Sequence, residues 1–100
     1  MSDLRKLTEK EIIRKEILLL CQSAGETGCS RQVLTAAMEK AYPEVEDIGK
    51  ELYYLQEKQL LRMEKVGNKR LGLERDIYFI TGEGIDYLDG TGPGIPGIGV

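Results

Sequence analysis

The chain has 100 residues, 41% apolar and 31% charged, with a net charge of −3, which suits one domain around one core and little more. It has no His, no Trp and only two cysteines, Cys21 and Cys29. That excludes a Ser-His-Asp triad, a Cys-His dyad, a His-ligated metal and a four-cysteine zinc site, and two thiols are too few for a disulfide scaffold, so a reducing, cytoplasmic setting is expected.

Residues 1–7 are short and mixed, and are read as a flexible N-terminus. Thr8 to Glu11 has the T-x-x-E spacing of a capping box, with Leu7 and Ile12 spaced as a hydrophobic staple. Ile13, Ile17, Leu20 and Ala24 then recur at helical spacing, widened by Leu18 and Cys21, until Gly25. A first helix is predicted over 8–24. Its longest apolar run, Ile17 to Cys21, is far short of the roughly 20 residues that cross a bilayer. Neither a membrane span nor a signal peptide is expected.

Gly25 to Cys29 reads as a turn that leaves Cys29 open to solvent. Ser30 is a good N-cap for a second helix over 31–41, with Val33, Leu34, Ala37, Met38 and Ala41 on its apolar face. Pro43 stops it and suits the first turn of a third helix, predicted over 44–58. There Val45, Ile48, Leu52 and Leu55 make one stripe, and Glu44, Glu46 and Asp47 favour the positive end of the helix dipole.

Leu60 to Val66 is strand-like, Gly67-Asn68-Lys69-Arg70 has turn chemistry, and Ile77 to Thr81 has strong β propensity. A hairpin with a long polar tip of about nine residues is predicted. Thr81 can cap a last helix over 82–89, with Ile85 and Leu88 facing inward. Residues 90–100, GTGPGIPGIGV, read as a disordered Gly/Pro tail. No glycine-rich loop follows a strand and no carboxylate pair falls in a recognisable cleft. Neither catalysis, a cofactor nor a bound metal is expected.

The order helix, helix, helix, strand, tip, strand, helix resembles a winged helix-turn-helix domain. The segment Tyr78-x-Ile80-Thr81-x-x-Gly84-x-x-x-Leu88 is similar to the strand-to-helix ending of the PadR and MarR families of regulators. Leu52-Tyr53-Tyr54-Leu55-x-x-Lys58-x-Leu60-Leu61 is similar to the segment where their third helix gives way to the first wing strand. Gln59 stands where those families usually have Gly or Asn. The resemblance covers residues 10–89. It implies an α+β winged helix: a three-helix core, a two-stranded β-hairpin wing and a short C-terminal helix. The small size and Gly/Pro tail also resemble small prophage-encoded winged-helix proteins.

Such a fold implies double-stranded DNA as partner, the third helix in the major groove and the wing tip on phosphates or in the minor groove. Residues 60–80 carry five bases against three acids, +2, whereas residues 1–59 carry −2 and residues 81–100 carry −3. Lys65, Lys69, Arg70 and Arg75 surround the tip, with Asn68 as a minor-groove reader. Lys50 and Tyr53 are the third helix's candidates for a base edge and a phosphate, and Arg31 is a candidate phosphate contact. The third helix is itself acidic. Five acids and two lysines lie between residues 43 and 59, which makes it a poor groove reader. A probe of protein contact stands beside DNA binding: Tyr53 and Tyr54 have the chemistry of interface anchors. The two readings are a homodimeric regulator, and a winged-helix module for protein–protein interaction in a phage or mobile element.

Overall fold

The computed structural model describes residues 2–45 and 47–90, with side chains from Glu9 onward. The proposed tail, from residue 91, and Glu46 lie outside the described residues. The first helix, α1, runs Ser2–Ala24, six residues earlier than the capping box predicts. Thr8 therefore lies inside the helix, and Ile12, the distal half of the expected staple, is exposed. The physical reason is local: residues 2–7 contain no Gly or Pro, and Leu4, Arg5, Lys6 and Leu7 propagate a helix readily. The first helix buries Ile13, Ile17, Leu18 and Cys21.

A 3₁₀ turn over Gly25–Thr27 leads to β1, Cys29–Ser30, a strand that the sequence does not announce. At Gly28 the φ of 70° is left-handed, and a Cβ there would come 2.6 Å from Ile77 Cγ2 and 2.7 Å from Phe79 Cε1. Only Gly lets the chain pass that close to the wing strand. Cys29 is buried rather than solvent-facing, because its strand pairs with the wing. Burial, and secondarily Cys29 nearby, pushes the Cys21 thiol up to about 12. That is the state of a packed, unreactive thiol.

The second helix, α2, spans Arg31–Ala41 as predicted. The Val33 N–H donates to Ser30 Oγ at 3.2 Å, the expected N-cap. The third helix, α3, spans only Gly49–Glu57. Pro43 and Glu44 turn instead, with the Val45 N–H donating to the Tyr42 carbonyl at 3.0 Å. Asp47 explains the late start. Its Oδ1 accepts from the Gly49 N–H at 2.9 Å, and this local bond competes with helix at residues 44–48.

The C-terminus of α3 closes as a Schellman motif. Leu60 N–H donates to Leu55 O and Gln59 N–H to Gln56 O, both at 2.9 Å. Gln59 takes the left-handed turn with a φ of 61°, alone among the described non-glycine residues. A left-handed L-residue costs roughly 1–2 kcal/mol. Gln59→Gly is therefore expected to raise stability by about 0.5–1 kcal/mol, net of the entropy that Gly adds to the unfolded chain. A urea melt with an unchanged or lower midpoint would show that the Gln side chain compensates for its backbone.

Strands β2, Leu61–Asn68, and β3, Leu73–Ile80, form the wing hairpin, with the 3₁₀ turn Lys69–Leu71 and Gly72 between them. The ladder reaches Asn68↔Leu73, so the nine-residue tip predicted from sequence is mostly paired strand. The sheet is three-stranded, in the order β1-β3-β2, and corrects the expected two-stranded wing. The last helix, α4, spans Gly82–Asp89 as predicted, but Ile85, expected to face inward, is exposed, and Gly84 is the residue that α4 buries. Thr81 does two jobs there. Its hydroxyl accepts from the Gly84 N–H at 3.0 Å and donates to the Gln59 carbonyl at 2.7 Å, tying the end of α3 to the start of α4. The core is formed by α1, α2, α3 and the inner face of the sheet, with Leu34, Met38, Ile48, Leu52, Leu55, Leu60, Leu61 and Tyr78. Among the described residues, no helix is long and apolar enough to cross a membrane.

Candidate nucleic-acid interface

The exposed face of α3 is short and less acidic than the sequence suggests. Glu44 and Asp47 precede the helix. Glu51 turns inward, buried, with its carboxylate 4.0 Å from the Arg14 guanidinium of α1. Lys50 and Tyr53 remain outside, one turn apart, as expected. A hydrogen bond to Glu57, the next exposed residue on that face, pushes the Tyr53 hydroxyl pKa up.

Tyr54 is half-buried rather than an open anchor. The Arg14 guanidinium lies 3.8 Å from its ring centroid and Lys58 Nζ lies 5.5 Å from it. Two cations thus occupy its ring, and Tyr53 alone of the pair is exposed. The Arg14–Glu51–Tyr54 group has no local signal in the sequence, since Arg14 and Glu51 belong to different helices. Only the crossing of α1 and α3 brings them together.

Arg31 also has work inside the fold. Its guanidinium lies 3.6 Å from Asp47 Oδ1, and its charge acts on the Tyr78 hydroxyl. Burial raises the Tyr78 pKa, partly offset by this cation. Arg31 thereby links the start of α2 to Asp47, ahead of α3, and to the central strand.

The wing is different. Every residue from Glu64 to Arg75 is exposed. Within 65–75 stand Lys65, Lys69, Arg70 and Arg75 against the one acid Glu74, so this segment carries +3 and the rest of the chain −6. None of these four cations makes an ion pair with a described residue. Arg62, lower on β2, is engaged: it pairs with Glu64 and stacks 4.2 Å from the Phe79 ring centroid.

The tip is built to hold its shape. Asn68 Oδ1 accepts from the Arg70 N–H at 2.9 Å, and the Gly72 N–H donates to the Lys69 carbonyl at 3.2 Å. Asn68 thus caps the turn through its side-chain oxygen. Gly67 has a φ of 129°, and a Cβ there would collide with the Leu73 carbonyl across the ladder. That backbone conformation belongs to glycine. Sequence reasoning also missed three exposed apolar residues among these cations: Val66, Leu71 and Leu73. The signal was present as Leu71-Gly72-Leu73 inside a charged loop. Among the described residues, no group of His, Cys, Asp or Glu is arranged to hold a metal ion.

Four helices, a three-stranded antiparallel sheet and the long basic hairpin that its last two strands form define a winged helix. No family model and no curated protein matches the chain. Among solved structures it is similar to an X-ray structure of a PadR-like transcription factor from Bacteroides fragilis, with a TM-score of 0.64 and 21% identity over 88% of this chain and 84% of that one. The likeness shows the winged-helix fold and spans nearly all of it.

Proposed function

We propose that this chain is a DNA-binding transcriptional regulator that acts as a dimer through its basic wing, with Lys50 and Tyr53 of α3 as further contacts. The observation that carries this reading is charge separation. A tip of +3 stands on a remainder of −6, with its four cations exposed and unpaired to described residues. A polyanion is drawn to that tip and repelled elsewhere, so the field orients the encounter. Fold likeness to a PadR-like transcription factor supports the same reading. The dimer rests on α1 and α4, which leave Ile12, Leu19 and Ile85 exposed; Ile12 and Leu19, seven apart, share one helix face.

Fluorescence anisotropy at several salt concentrations tests the proposal. Wild type is expected to bind mixed duplex DNA, two chains per site, with log K falling linearly in log salt. Replacing Lys69 and Arg70 with Ala removes two phosphate contacts, which flattens that slope by about two. Affinity should fall about equally for all duplex sequences. Absence of binding at about 50 mM salt and tens of micromolar protein overturns the proposal, because non-specific dissociation constants are typically around 10⁻⁴–10⁻⁶ M at physiological salt and tighten below it.

A further inference from the structure

We propose that Leu71 is an apolar wedge that enters the minor groove of duplex DNA and unstacks a base step while the cations beside it hold the phosphates. This inference rests on the DNA-binding reading and goes beyond it, from neutralising the duplex to deforming it.

Leu71 is the most exposed large apolar residue described, at 68%, with Leu73 at 61% and Val66 at 50% close by. A single exposed Leu is ordinary. Three within eight residues at the end of one hairpin are a concentration, and they sit where the chain is most basic. Register places two of them together. Val66 opposes Arg75 and Asn68 opposes Leu73, so Val66, Leu73 and Arg75 share one face of the ladder, with Val66 and Leu73 as diagonal neighbours. Leu71 projects from the turn itself, directly after Lys69 and Arg70. The Asn68 cap and the left-handed Gly72, φ 65°, fix that turn. The side chain is therefore presented on a set backbone.

Charge complementarity selects the occupant. A minor groove offers phosphates on both walls and the apolar faces of stacked bases between them. Proteins that kink DNA there insert Leu, Ile, Met, Phe or Pro between base steps and place Arg and Lys beside them. Leu71 beside Lys69 and Arg70 has that composition. An anionic bilayer has a similar local chemistry. It is also an extended negative surface, which the −6 remainder of the chain would face. A duplex meets only the tip and the exposed face of α3.

The test uses the full chain and duplexes that carry 2-aminopurine at a flexible TA step or inside a stiff A-tract. Wild type is expected to bind and to raise 2-aminopurine fluorescence at the TA step more than in the A-tract. Leu71→Ala should keep the salt slope, lose most of the fluorescence rise and weaken TA-step binding by about tenfold. Leu71→Phe should restore the rise. Lys69→Ala with Arg70→Ala should flatten the slope instead. Binding by wild type without a rise, or a rise that survives Leu71→Ala, overturns the wedge and leaves DNA binding standing. Absence of any duplex binding overturns both. Co-sedimentation with phosphatidylserine vesicles that depends on Leu71, in a protein that ignores duplex, also overturns the wedge and assigns the tip to lipid.

Discussion

Replacing Tyr78 with Ala is expected to lower stability by roughly 3 kcal/mol or more, which for a domain this small lowers the melting temperature by at least about 12 °C. Tyr78 lies at the centre of the molecule's only sheet among the described residues, opposite Cys29 on β1 and Met63 on β2. It is 3% exposed, so truncation to Ala opens a cavity among the core residues as well as losing the ring's transfer energy. It also removes the hydroxyl that Arg31 reaches. Tyr78→Phe separates the two contributions. It keeps the ring and loses only the hydroxyl, at about 1 kcal/mol. Thermal melts followed by circular dichroism decide the matter. An Ala variant that melts within error of wild type would remove Tyr78 from the core. Equal losses in Ala and Phe would mean that the hydroxyl, not the ring, carries the effect.

Gly84→Ala should cost a comparable amount, roughly 3 kcal/mol, through overpacking rather than a cavity. Gly84 is buried on the inner side of α4. A Cβ there would overlap the Leu60 carbonyl oxygen and lie 2.7 Å from Ile80 Cγ1. Ile80 can change rotamer, but the Leu60 carbonyl is backbone. That carbonyl also accepts from the Thr81 N–H at 3.1 Å, so any movement loosens the junction from which α4 starts. Urea denaturation should show a lower midpoint with the same slope, the signature of lost stability without a change in the surface exposed. An unchanged midpoint would mean that α4 can shift outward freely, and the close approach would then have no energetic meaning.

The parts of this fold that could be read directly from residues are those whose signals are local. Ser30 and Thr81 cap their helices through their own side chains, Pro43 stops α2 and Gly90 takes a left-handed φ where α4 ends, so α2 and α4 have the bounds that their sequences predict, and Gly25 likewise ends α1. The motif from Tyr78 to Leu88 was legible for the same reason. The alternation in the strand and the capping of Gly84 N–H by Thr81 act within a few residues, whereas the close approach at Gly84 is to the distant Leu60 carbonyl. Gln59 shows the limit of such reading. The departure from Gly was visible in the sequence, but that the position would still adopt a φ of 61° follows from the bonds of Leu60 and Gln59 back to α3.

The candidate site divides along the same line. Lys65, Lys69, Arg70 and Arg75 were evident as a basic cluster, and exposure of the whole tip agrees with that reading. What the tip looks like was not evident, because a hairpin exposed on both faces has no core side to impose apolar alternation, so its ladder left no periodic trace. Cross-strand backbone bonds alone extended it to Asn68↔Leu73. Composition and short-range spacing by themselves determined the Ser30 and Thr81 caps and the basic wing, since each depends on neighbours in sequence, and the resemblance carried by the Tyr78-to-Leu88 motif supplied the class of fold. The burial of Glu51 against Arg14, the engagement of Arg31 with Asp47 and the strand at Cys29–Ser30 were decided only by the tertiary structure. Each depends on which elements cross and at what register, and a charged or apolar side chain carries no mark of the partner that packing will bring to it.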